Sequence, residues 1–83
     1  MSRPIGELKV RAMSVLSLSP ELRERFVEIA RTKSPSAAFG LAEATAWLHG
    51  FIPMEALAIA KATRWLAVVR RDYGQAEFDR ITA

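Results

Sequence analysis

A chain of 83 residues holds material for one core, because domains usually run to about 100–150 residues, and most familiar enzyme folds need more. Hydrophobic residues make up 51% of it, which argues against disorder, while 12 Lys and Arg against 9 Asp and Glu leave a formal charge of only +3. Cysteine is absent, so disulfides, thiol chemistry and cysteine-based zinc sites are excluded.

The opening Met-Ser-Arg-Pro-Ile-Gly-Glu lacks the apolar run of a signal peptide, which sets the cytoplasm as the expected compartment. Two patterns compete just after it. Leu8, Val10 and Ala12 alternate with Lys9 and Arg11 as in a strand, which in so short a chain would need exchange with another subunit. A helix instead places Leu8, Ala12, Val15 and Leu16 on one face, and helix is the preferred reading.

Ser19-Pro20 supplies a hydroxyl N-cap and a proline at the first helical position. A helix follows to about Thr32, closing at Lys33, with Leu22, Phe26, Ile29 and Ala30 on its apolar side and a Glu21/Arg25 pair on its polar side. Ser34-Pro35 repeats the device and predicts a second helix to His49, stopped by Gly50. On it Ser36, Gly40 and Ala44 form a small-residue stripe where a neighbouring backbone is expected to approach closely. Pro53 starts the longest helix, over residues 53–73, which Gly74 ends. Leu57, Ala58, Ala62, Trp65, Val68 and Val69 make its apolar arc, with Ile59 and Leu66 at one margin, and Thr63, Arg64, Arg70 and Arg71 are expected outside. A short, fraying helix over residues 75–82 carries Phe78 and Ile81 on one side.

The fold expected is therefore all-α, a single domain over residues 1–83 with four or five helices in an orthogonal or bundle-like arrangement around a long central helix near residues 53–73. Residues 1–17 and 75–83 are the least clearly patterned parts of it.

Chemistry is sparse. His49 is the only histidine, sits at a helix C-terminus, and reads as a cap; Glu43, six residues earlier, lies on a different face of the same helix. Asp72, Glu77 and Asp79 lack the spacing of a calcium loop, and Gly40, Gly50 and Gly74 are too far apart to cradle phosphate. No catalytic residue, metal ligand or cofactor site is expected, and the chain reads as no enzyme.

Phe26, Phe39, Trp47 and Trp65 fit helix-packing positions. Phe51, Ile52 and Met54 differ, because they bunch at a connection where one small core has difficulty covering them, and they are the candidate protein interface. Arg64, Arg70 and Arg71 form a candidate charged contact surface, with Arg80, or Lys9 and Arg11, as neighbours to it. The leading expectation is a non-enzymatic interaction module, an adaptor, inhibitor or self-assembling subunit that meets another protein or a second copy of itself. The alternative is a small DNA-binding regulator with a degenerate helix-turn-helix around residues 40–60, in which Ala46, Gly50, Ala56 and Ile59 would hold the motif together. Against it, the second helix begins Pro53-Met54-Glu55-Ala56-Leu57-Ala58, with no side chain suited to base edges and one carboxylate facing phosphate. No segment reads as a transmembrane span, and neither lipidation signals nor composition favour membrane-surface binding.

Overall fold

A computed structural model describes residues 9–83, and within them the chain is all-α, with no strand. The helices are α1 (Met13–Leu16), α2 (Pro20–Thr32), α3 (Pro35–Leu48), α4 (Pro53–Tyr73) and α5 (Gln75–Thr82). Residues 9 and 10 are helical and residues 11 and 12 form a turn, so the strand alternative is overturned wherever its residues are described; Leu8 lies outside them. Ala12 and Val15 are fully buried, as the helical reading requires.

The 21 residues of α4 extend about 31 Å at 1.5 Å per residue, most of the 39 Å long dimension of the molecule. Every other helix packs against it. On one side of this spine, Val15, Phe26, Val27, Leu66, Val69, Phe78 and Ile81 form a bulky cluster with almost no exposed surface. Burying each of the larger side chains stabilises by about 1.5–3 kcal/mol, so this cluster carries most of the hydrophobic gain. Phe78 and Ile81 belong to α5, which is therefore held down and not the frayed tail its length suggests.

On the other side lies α3, and its contact with α4 is the most extensive in the molecule. All the buried residues of α3 are alanines, Ala38, Ala42 and Ala46, one turn apart. Along one line of α4 the fully buried positions are alanines but for one threonine: Ala56, Ala60, Thr63 and Ala67. The close-packed stripe thus differs from the expected one. Ser36, Gly40 and Ala44 are exposed, and a Cβ at Gly40 would meet nothing within 4 Å.

The apolar arc of α4 is likewise rotated from its expected position. Ile59 and Leu66 lie at its buried centre, Leu57 and Ala58 are exposed, and Thr63 is buried. The Thr63 hydroxyl donates to the Ile59 carbonyl at 2.8 Å, which satisfies it inside its own helix and removes most of the cost of burial.

Proline and glycine set the boundaries as read. The Ser34 hydroxyl accepts from the Ala37 N–H at 3.4 Å, whereas Ser19 offers only its backbone carbonyl, to Arg23 N–H at 2.8 Å. Between α3 and α4, Gly50 at φ +85° places the chain in the left-handed region. Gly50 N–H then donates to the Trp47 carbonyl at 3.0 Å and Phe51 N–H to the Ala46 carbonyl at 3.1 Å, the bond pair of a Schellman motif. Gly74, at φ +96°, turns α4 into α5.

Candidate functional site

The Schellman turn explains where the expected interface residues go. The residue after the left-handed glycine usually packs back on the helix it follows. Phe51 occupies that position, is half-buried and packs against the core, so it is a lid residue and not an exposed contact. Ile52 and Met54 face solvent, 58% and 79% exposed. Two residues outside the expected interface join them from the end of α3: Leu48 is 88% exposed, and Trp47, expected in the core, is 57% exposed. The tip of the α3–α4 hairpin is therefore an apolar cap of Trp47, Leu48, Ile52 and Met54. Residues 44–54 carry no carboxylate, ammonium or guanidinium group, and His49 is the sole titratable side chain among them. Just beyond, the Glu55 carboxylate accepts from the Ile52 N–H at 3.3 Å, capping α4.

The expected basic surface divides. Arg70 is turned inward: its Nε donates to the Ala30 carbonyl at 3.0 Å and its Nη2 to the Lys33 carbonyl at 2.7 Å, so it closes the C-terminus of α2. Arg71 pairs with its neighbour Asp72 through contacts of 2.8 and 3.2 Å. That hydrogen bond holds the Asp72 carboxyl below the ordinary carboxylate range and raises the Arg71 guanidinium. Arg80 is occupied by Glu77 at 3.0 Å. Arg31 takes Glu28 at 2.7 Å and Glu24 at 3.7 Å, whereas the expected Glu21/Arg25 pair does not form. The Glu28 hydrogen bond raises the Arg31 pKa further.

Arg64 has a different setting, in an open groove of about 760 Å3 lined by Pro35, Ser36 and Phe39 of α3 and by Lys61, Arg64, Trp65 and Val68 of α4, with Arg11 at its rim. The Arg11 guanidinium lies 3.9 Å from the Trp65 ring centroid, and that of Arg64 lies 5.6 Å from Phe39. A second depression of about 480 Å3, on the opposite side of α3, is lined by Glu21, Glu24, Arg25, Glu28, Ile29, Leu41 and Thr45.

His49 is exposed at the end of α3, Glu43 is half-buried a turn and a half earlier, and they line neither groove. Among the described residues no group of three or more His, Asp or Glu side chains could hold a metal ion, and no helix is long and apolar enough to cross a membrane.

Compared with protein-family models, with curated proteins and with solved structures, the chain matches none.

Proposed function

We propose that the protein is a non-catalytic helical module that assembles with a second copy of itself through the hairpin tip. The observation that carries this reading is the exposure of Trp47, Leu48, Ile52 and Met54 within eight residues around the hairpin turn, in a stretch without formal charge. Large apolar side chains gathered on a small domain mark a contact surface when neighbouring polar residues do not break them up. A two-fold contact sets a patch against its own copy, so a charge close to the axis would oppose its own image, and a patch of one sign would repel itself. The tip avoids that repulsion, whereas much of the remaining surface belongs to a chain of net charge +3.

The helix-turn-helix alternative draws less support. At the start of α4 the exposed side chains are Met54, Glu55, Leu57 and Ala58, and Glu55 is engaged in capping its own helix.

Sedimentation velocity across a concentration series tests the proposal. The unmodified chain is expected to shift from monomer toward dimer as concentration rises, while Met54→Asp and Ile52→Asp, each burying a carboxylate at the two-fold, remain monomeric with unchanged helicity by circular dichroism. His49→Lys, which places a permanent cation in the same turn, is expected to weaken the dimer without unfolding it. A chain that stays monomeric throughout, or a dimer indifferent to all of these substitutions, overturns the reading.

A further inference from the structure

The groove between α3 and α4 has features that self-assembly at the tip leaves unexplained. It gathers Arg11, Lys61 and Arg64, and among the described residues none of these cations meets a carboxylate. Lys61, Arg64, Trp65 and Val68 recur at intervals of three, one and three residues and so share one face of α4. From the other wall comes the first turn of α3, through Pro35 and Ser36. A helix N-terminus presents backbone N–H groups without intrahelical partners and the positive end of the helix dipole, and the Ser36 N–H is one of these donors. Side-chain charge and backbone dipole therefore point the same way, toward an anion.

The aromatic rings narrow the choice of anion. A guanidinium lying flat on a ring keeps its edge N–H donors and its outer face available. The Arg11 guanidinium carbon sits 3.9 Å over the Trp65 centroid, a separation suited to such stacking, and Arg64 approaches Phe39 less closely. Edge donors suit phosphate oxygens, and the outer face of a stacked guanidinium is a platform on which an unpaired base can lie. A carboxylate-rich peptide would use the charges and leave the platform unused. A duplex keeps its bases stacked on one another and out of reach of such a groove, whereas single strands track along charged grooves with bases laid on flat side chains.

We infer that this groove binds single-stranded nucleic acid, with Arg11, Lys61, Arg64 and the N-terminus of α3 meeting phosphates and Arg11, seated on Trp65, supporting a base. Binding is independent of sequence, because every base has a face to stack and the phosphates carry no code.

Fluorescence anisotropy with a short labelled oligothymidylate tests this, using the full chain in a salt series. If each of the three cations meets one phosphate, the logarithm of affinity falls with the logarithm of salt at a slope of about −2, from roughly −0.7 for each contact with a single strand. Lys61→Ala lowers that slope to about −1.4. Arg11→Lys keeps the charge and the slope but loses the platform, and weakens binding about 5- to 100-fold. Met54→Asp, at the opposite function, binds the strand unchanged. A duplex of the same length bound as tightly as the single strand, a slope unaffected by Lys61→Ala, or no binding at low salt each overturns the inference. So does self-association of the free protein that Lys61→Glu abolishes, since the groove would then be taken by the Glu21, Glu24 and Glu28 face of another copy.

Discussion

Arg70 offers the most direct test of how the helices are held together. Its guanidinium spans the end of α2, donating to the carbonyls of Ala30 and Lys33. Hydrogen bonds that involve a charged group contribute about 1.5–3 kcal/mol each, and a cation at a helix C-terminus gains further from the dipole. The Nη2 bond is exposed and screened by water while the Nε bond is partly buried, so the lower end of that range applies, giving about 2–3 kcal/mol for Arg70→Ala. For a domain of this size, at roughly 4–8 °C per kcal/mol, the melting temperature falls by about 10–20 °C. Urea unfolding followed by circular dichroism supplies the free energy, with an unchanged m value as the sign that both end states are intact. Arg70→Lys recovers less than half of the loss, because one ammonium cannot span both carbonyls as the planar fork does. Arg71→Ala, which removes an exposed pair with the adjacent residue, is the control and changes stability little. If Arg70→Ala costs no more than Arg71→Ala, the bridge has no structural role and the reasoning fails.

Two further outcomes follow from the geometry. Gly40→Ala, at an exposed helical position where a methyl meets nothing, stabilises by about 1 kcal/mol, whereas Ala42→Leu in the buried seam costs about 1–3 kcal/mol or more; thermal unfolding of the two variants reads the opposite signs. Asp72 has a folded-state pKa below its unfolded value, so its small contribution to stability is present above the unfolded pKa and is lost as pH falls through the folded one. Carboxyl NMR titration reads this directly, with the Asp72 midpoint moving upward in Arg71→Ala.

Helix ends were legible in the chain because their signals are local. Proline after a hydroxyl residue, and glycine where φ must be positive, act within a few positions and override little else. Which side of a helix faces inward was legible only where charge marks the outside, as on α2. In α3 the stripe of Ser36, Gly40 and Ala44 and the stripe of Ala38, Ala42 and Ala46 have the same spacing and nearly the same size, and Glu43 alone carries a formal charge. Only the position of α4 separates them. Arg70 posed a similar difficulty: its acceptors lie 37 and 40 residues away, so the same side chain reads as solvated charge until the tertiary fold is known. Trp47 followed a rule of residue type, since large aromatic residues are usually covered, but one residue past Ala46 it lies about 100° round the helix from the buried alanine line. The groove gave part of its signal: Arg11 and Arg64 stood out, and Lys61 lies three residues before Arg64 on the same face of α4, but the opposite wall from the first turn of α3 is disclosed by no spacing along α4.

The seam of alanines also governs what keeps the hairpin aligned. Methyl groups repeating every turn on α3 make a shallow track, because a slide of one turn, about 5.4 Å, sets methyl against methyl again, and among the fully buried positions facing it only Thr63 is larger than alanine. Alignment is therefore dictated from the ends, by the tight reversal at Gly50 and by the Arg70 bridge to α2. A longer connector would free that track, and two chains could then trade their first halves across it without losing a single contact of the seam.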